Sequence, residues 1–181
     1  MPTTHSLIQT NISALDEGAG LLAILEPEHY TAGCEPAFRS TIGAHFRHVL
    51  EHYRCFFTQL EDAVLCYDDR KRDQLLECDV AYAARTIDEV KNQFANFDQQ
   101  QIHQFYQIAD QQADGLVATS LHRELLFLQS HTVHHYAIIG AMARSFGKQP
   151  EDDFGVAIET RTYQAETTCD SSPTETLPCA Q

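Results

Sequence analysis

The sequence predicts an all-α protein, an up-down four-helix bundle with a short hairpin or extended loop between the third and fourth helices. Four segments repeat apolar residues at alternating spacings of three and four, the pattern of a helix that packs along one face. Four helices of about 20 residues, each with one stripe, bury those stripes best as a bundle. The 181 residues, 43% of them hydrophobic, suit one domain. We place this bundle, with a docked C-terminal segment, at residues 1–160 and a polar tail at 161–181.

The first two helices are bounded by clear signals. The first follows Thr3 or Thr4 and stops before Pro27, since the residue before a proline disfavours helical geometry. The second follows Ser40 or Thr41, and residues 26–40 between the two are predicted as a loop. The stripes consist of Ile8, Ile12, Leu15, Ala19 and Leu22 in the first helix and of Ile42, Phe46, Val49, Tyr53, Phe56 and Leu60 in the second.

The second half of the chain begins with a charged crossover at residues 66–77. Residues 102–118 fit a short hairpin across an Asp114-Gly115 turn. The fourth helix starts at Thr119 or Ser120 and ends near Gly147, a suitable C-terminal cap. The apolar stripe of the third helix consists of Val80, Ala83, Ile87, Val90, Phe94 and Phe97, and that of the fourth helix consists of Leu121, Leu128, Ile138 and Met142. In the hairpin, Tyr106 and Ile108 would face Leu116 and Val117.

The C-terminal segment divides into two parts. After Pro150, Phe154 and Val156 are expected to dock on the bundle. From about Gln164 the chain is rich in Thr, Ser and Pro, and we expect disorder there unless a contact orders it.

Charge and composition exclude several classes of function. A formal net charge of −14 opposes binding to nucleic acid, which requires a basic surface. The basic cluster at residues 70–72 lies among Asp68, Asp69 and Asp73, and we expect local ion pairs there. No apolar run reaches 18 residues, so no membrane span is predicted. The first ten residues lack a secretory signal, and the six cysteines form no C-x-x-C pair, so we predict a cytoplasmic protein with free thiols.

His131 and His135 lie one turn apart in the fourth predicted helix, on the seam that runs from Leu121 through Glu124 and Leu128. On that seam both side chains point into the core, where their nitrogens need polar partners. One interpretation is a pair of core histidines bonded to backbone carbonyls or a buried carboxylate. The other is two ligands of a metal ion, which needs a further ligand from elsewhere in the chain.

A second cluster, His45, His48 and His52, forms a strip beside the apolar stripe of the second helix. A solvated polar edge is the plain interpretation, and a helical wheel places His45 and His52 nearer the core than His48. A metal ion that draws three neutral imidazoles from both helices would satisfy both clusters. Three protein ligands leave coordination positions open, as in catalytic zinc sites.

Two neighbours of the histidine pair can support such a site. His134 is expected behind the ligands or at the surface. Glu124 lies two turns before His131, where a hydrogen bond inside the bundle and an ion pair with Arg123 fit equally well.

The sequence contains no intact motif of several other enzyme classes. A di-iron bundle needs two Glu-x-x-His pairs on separate helices, and the only such pair, Glu26 to His29, is interrupted by Pro27. The H-E-x-x-H motif, Gly-rich phosphate loops and G-x-S-x-G are absent.

Over residues 1 to about 147, the chain resembles the DinB/YfiT-like superfamily of metal-binding four-helix bundles. The resemblance consists of Gly-x-x-x-x-His in the second helix, here Gly43 and His48, and His-x-x-x-His in the fourth, here His131 and His135. It implies that these three histidines bind one divalent metal ion. The stretch ending at His48 is also similar to the His-x-x-His of ergothioneine-forming sulfoxide synthases, in which the second histidine binds iron. Those enzymes continue their second motif to a glutamate where this chain has Ala137, and their C-type-lectin-like domain is missing, which argues against their iron chemistry.

Characterised members of that superfamily include transferases and isomerases that use a low-molecular-weight thiol such as mycothiol or bacillithiol. The resemblance therefore implies a metal-dependent S-transferase or isomerase with an electrophilic substrate, in which zinc, nickel or iron holds the thiol as its thiolate. His52 or His134 would shuttle the proton. The alternatives are a non-catalytic, stress-associated metal-binding bundle that acts through a protein partner, and a bundle without metal. A homodimer formed through bundle faces is also expected.

Overall fold

The computed structural model describes residues 3–98, 104–110 and 115–169. This part of the chain is mostly helical, as predicted, and it adds two small sheets. Its helices are α1 (Thr4–Ile24), α2 (Pro27–Thr31), α3 (Ile42–Gln59), α4 (Leu75–Cys78), α5 (Val80–Ala95), α6 (Leu121–Ser145) and α7 (Ile158–Cys169), and a 3-10 turn spans Tyr67–Asp69. Its strands are β1 (Gly33–Cys34), β2 (Phe38–Thr41), β3 (Val64–Leu65), β4 (Tyr106–Ala109) and β5 (Leu116–Thr119).

Each of the four long helices, α1, α3, α5 and α6, begins after a residue whose side chain caps its N-terminus. The side chains of Thr3, Thr41 and Ser120 each accept a hydrogen bond from the backbone N–H three residues on, as predicted. Asp79 caps α5 in the same way. Gly147 follows the end of α6 with a φ of 75°, the left-handed conformation that glycine adopts without strain.

The long helices share one core: α1 and α3 both pack against α5 and α6. The stripe predicted for α3 is entirely buried. The stripe predicted for α1 is displaced, because Ile8 and Ile12 are only half-buried while the polar Asn11 is fully buried. Asn11 satisfies its amide there: Nδ2 donates to the Leu125 carbonyl at 3.0 Å, and Oδ1 accepts from the Tyr53 hydroxyl at 2.8 Å.

The predicted hairpin between the third and fourth long helices is present as β4 and β5. Ile108 pairs with Val117, and Tyr106 pairs with Thr119; Asp114 of the predicted turn lies outside the described residues. β3 joins β4 in parallel, and β1 pairs with β2 in a separate antiparallel sheet. The expected loop at residues 26–40 is wrong in detail, since it contains α2, β1 and β2, and the charged crossover at 66–77 contains the 3-10 turn and part of α4.

The docked C-terminal segment is confirmed for Phe154, which is buried with its ring centroid 4.8 Å from that of Tyr136. The first nine residues of the polar tail predicted at 161–181 are helical and belong to α7. Arg161 anchors this helix, because its guanidinium pairs with Glu17 at 2.8 Å and donates to the Val156 carbonyl.

Two further expectations concern the chain as a whole. Among the described residues, no helix has an apolar stretch long enough to cross a membrane. Four cysteines in the same part of the chain are free thiols, as predicted, namely Cys34, Cys55, Cys66 and Cys78.

Candidate metal centre

His48 from α3 meets His131 and His135 from α6. The Nε2 atoms of His48 and His131 are 3.0 Å apart, and one ligand nitrogen from each of the three histidines lies within 4.8 Å of the others. Two nitrogens bound to one tetrahedral zinc are about 3.3 Å apart, given Zn–N bonds of about 2.0–2.1 Å. The three residues therefore fit a single divalent ion.

The helices bring these rings together for simple geometric reasons. His131 and His135 are four residues apart and project from the same face of α6, with ring centroids 4.6 Å apart. On α3, Gly43 allows close packing against α4, because a Cβ at this position would lie 2.1 Å from the Glu77 carbonyl oxygen.

The position of the α6 pair differs from the predicted seam. His131 and His135 are half-buried, whereas Thr132 and Tyr136, one residue further along, are buried in the core. The pair therefore lies at the edge of the buried face.

Burial keeps the three imidazoles neutral. It lowers the pKa of His48 and of His135 from 6.5 to about 3, with smaller contributions from neighbouring histidines, and it also lowers the pKa of His131. A histidine binds metal through the unprotonated nitrogen of its neutral ring. At neutral pH these three histidines are already in that form, so metal binding does not have to displace a proton from them.

His45 supports the site from behind. Its Nδ1 lies 2.9 Å from Nδ1 of His135. When Nδ1 of His135 donates this hydrogen bond, its Nε2 is unprotonated and free to bind a metal ion. This arrangement matches the way a second residue fixes the tautomer and ring orientation of a ligating histidine. The helical wheel had placed His45 near the core, but its contact with His135 depends on the packing of α3 against α6.

Comparison with known families now gives a clear assignment: the DinB family model matches residues 1–167 of the chain. The chain belongs to the DinB family. Comparisons with curated proteins and with solved structures give no match. Membership agrees with the resemblance carried by Gly43 and the three histidines.

The two histidines proposed as proton shuttles occupy different places in this DinB protein. His52 is 4% exposed, and its Nδ1 donates to the His48 carbonyl at 2.7 Å, which leaves Nε2 unprotonated in the neutral ring. Its ring centroid is 4.4 Å from those of both His48 and His131. His134 is exposed, with its ring centroid 5.2 Å from that of His135.

Glu124 makes both of the contacts that the sequence left open. This fully buried carboxylate accepts hydrogen bonds from the Tyr67 hydroxyl at 3.0 Å and from Thr119 at 2.5 Å, and it pairs with Arg123 at 2.9 Å. It does not touch the metal ligands directly. It holds Tyr67, whose ring lies 5.4 Å from that of His52.

Tyr67 and Phe127 are site residues that the sequence did not reveal. The Phe127 ring stacks on His131 at 5.4 Å and lies 5.0 Å from the Tyr67 ring. Tyr67 comes from the 3-10 turn in a charged stretch, where no periodic pattern indicates a buried side chain. Together the two rings form an apolar wall beside the histidines.

The metal-free DinB protein should lose stability as the pH falls through the range in which buried His52 resists protonation. Burial lowers the pKa of His52 from 6.5 to about 3, so over that interval the unfolded chain binds a proton that the folded chain excludes. The free energy of unfolding therefore falls with falling pH in this window, and His52 contributes no pH dependence above it.

Denaturant titrations at several pH values test this expectation after the metal is removed with a chelator. His52→Gln should flatten the slope below about pH 6.5 by up to about 1.4 kcal/mol per pH unit, the limit for one proton. His5→Gln, on an exposed histidine of α1, is the matched control. Equal slopes for wild type and His52→Gln would contradict the assignment.

Proposed function

We propose that this DinB protein is a metal-dependent enzyme that binds a low-molecular-weight thiol and joins its sulfur to an electrophilic substrate, as an S-transferase or isomerase. The observation that supports this most directly is the convergence of three neutral imidazoles at the edge of the buried face. Three protein ligands leave a coordination position for a small molecule. As part of the same proposal, the four long helices run up and down in a bundle and present this edge to solvent.

A divalent ion such as zinc, nickel or iron, held by His48, His131 and His135, would lower the pKa of a small thiol so that its thiolate is present at neutral pH. The protein's own residues then set the surroundings of the sulfur. His45 orients the ring of His135. The apolar wall of Tyr67 and Phe127 excludes water from one side, which strengthens electrostatic interactions next to it.

The two candidate proton shuttles, His52 and His134, have different roles in this proposal. The lowered pKa of His52 keeps it neutral at physiological pH, so its Nε2 acts as a hydrogen-bond acceptor that orients a thiol or substrate hydroxyl. His134 is exposed next to His135 and exchanges protons with water.

Thiol binding tests the proposal. Cobalt(II)-loaded protein titrated with 2-mercaptoethanol should develop the intense near-ultraviolet absorption of a cobalt–thiolate bond. His131→Ala should lose the signal because it loses a ligand, whereas His5→Gln, on an exposed histidine near the N-terminus, should retain it. In a conjugation assay with the same thiol and an activated aryl halide, His131→Ala should lose product formation and His5→Gln should retain it.

The same titration distinguishes the proposed enzyme from a non-catalytic metal-binding protein. Cobalt that binds stoichiometrically but shows no change with any small thiol would overturn the enzymatic proposal. That result would favour a non-catalytic metal-binding bundle that acts through a protein partner.

A further inference from the structure

A large cavity lies along α3, and none of the three candidate metal ligands is among the residues that line it. It has a volume of about 960 Å³ and is formed between α3 and the segment from the 3-10 turn to α4. Glu51 and Cys55 of its wall follow His48 and His52 on α3 by three residues each. The cavity therefore starts on the helical face next to the histidines.

Three consecutive basic side chains, Arg70, Lys71 and Arg72, line the wall of this cavity. Local ion pairs with Asp68, Asp69 and Asp73 were expected for this cluster, and Asp68 does lie close enough to act on the charge of Arg70. Asp73 pairs instead with Arg54 at 3.0 Å. In a chain with 26 acidic and 12 basic residues, three such cations on one wall are unusual.

Three carboxylates, Glu51, Asp69 and Asp73, share this wall with the cations, and Glu51 acts on the charge of Arg70. Glu51 accepts the backbone N–H of Asp73 at 2.8 Å and lies 3.8 Å from Arg47 on the other side. Asp69 is the remaining carboxylate of the wall. Arg70 donates to the Tyr67 carbonyl, while its buried Nε has no hydrogen-bond partner among the described residues. A buried donor without a partner costs free energy that an acceptor from a ligand would recover.

The same arginine connects the cavity to the metal centre. Arg70 is bonded to the carbonyl of Tyr67, and the ring of Tyr67 lies 5.4 Å from that of His52.

We propose that this cavity is an oxyanion-binding subsite in which Arg70, Lys71 and Arg72 hold a carboxylate or phosphate of the molecule whose reactive end faces the histidines. The guanidinium fork matches both groups in a bidentate geometry. The inference rests on the proposed function for the identity of that molecule as an anionic thiol or substrate. Anion binding itself does not require the metal.

The first experiment measures anion binding alone. Metal-free, full-length protein is titrated at low ionic strength by calorimetry with succinate and with inorganic phosphate, and the tighter ligand identifies the oxyanion. The variant Lys71→Gln/Arg72→Gln removes two exposed side chains, so its fold should be unaffected, and its affinity should fall by roughly tenfold or more. The control Arg39→Gln/Arg144→Gln removes the same charge from exposed positions elsewhere and should bind as the wild type does. Failure of the wild type to bind either anion, or equal affinities in all three proteins, would overturn the subsite.

The second experiment separates the subsite from the proposed function. Cobalt-loaded protein is titrated with mercaptosuccinate, which carries two carboxylates, and with 2-mercaptoethanol, which carries none. Wild type should bind mercaptosuccinate at least about tenfold more tightly, and Lys71→Gln/Arg72→Gln should lose this preference while its affinity for the neutral thiol is unchanged. A cobalt–thiolate signal without any preference would overturn the subsite and leave the thiol chemistry intact. Absence of the signal with both thiols would overturn the thiol chemistry, and the calorimetric result would then decide the subsite.

Discussion

Replacing His131 with alanine should abolish stoichiometric metal binding. His131 Nε2 lies 3.0 Å from His48 Nε2, and removing one of three protein ligands leaves a pair that cannot enclose the ion. Loss of a supporting residue alone costs about 10–100-fold in metal affinity, so loss of a ligand should cost more than about 100-fold. Elemental analysis of purified protein after dialysis against zinc measures the stoichiometry, and a competing chelator measures the affinity.

The same assay distinguishes ligands from supporting residues. His48→Ala should be as damaging as His131→Ala, whereas His45→Ala should lower the affinity by about 10–100-fold, because His45 acts through its hydrogen bond to His135. His134→Ala, on the exposed neighbour, is the matched control and should retain the metal. Retention of zinc by His131→Ala, or a larger loss in His45→Ala than in His48→Ala, would contradict the assigned ligand set.

The long helices and the α6 histidine pair could be predicted because each depends on local spacing. The caps at Thr41 and Ser120 bond backbone groups only three residues away. The i,i+4 spacing of His131 and His135 places both side chains on one face of any α-helix that contains them. His48 could not be chosen by a helical wheel. Its selection came from the family resemblance, because the side of α3 that meets α6 depends on packing between helices.

Contacts between distant segments explain most of what the sequence did not predict. Asn11 is buried on α1 because Tyr53 and Leu125 supply its hydrogen bonds, and no pattern within α1 indicates those partners. Tyr67 belongs to a charged stretch and becomes a site residue through Glu124, 57 positions away. Within the basic cluster, Arg70 bonds the backbone carbonyl of Tyr67, and Asp73, one of its expected partners, is held by Arg54 from α3.

Replacing Gly18 with alanine should destabilise the protein by about 1–3 kcal/mol, the usual cost of overpacking a core. A Cβ on Gly18 would lie 2.0 Å from Oη of Tyr136 and 3.3 Å from Cε1 of Phe46. Tyr136 is fully buried and stacked on Phe154, so its ring has little room to move. Chemical denaturation measures the change in free energy of unfolding. Gly20→Ala on the same helix is the control: a Cβ there meets no atom within 4 Å, so this variant should gain about 0.5–1 kcal/mol from its higher helix propensity.

A double-mutant cycle identifies the cause of the loss. Tyr136→Phe removes the atom nearest to the new Cβ, a buried Oη with no hydrogen-bond partner among the described residues, so Phe at this position should restore part of the stability lost in Gly18→Ala. Because Tyr136 follows His135 on α6 and Phe46 lies two residues before His48 on α3, the Gly18→Ala variant should also bind zinc more weakly, and the double variant should recover affinity together with stability. Additive effects of the two substitutions would show that the contact between Gly18 and Tyr136 does not determine the spacing of α1 and α6. Recovery of stability without recovery of affinity would show that the histidines are positioned independently of this packing.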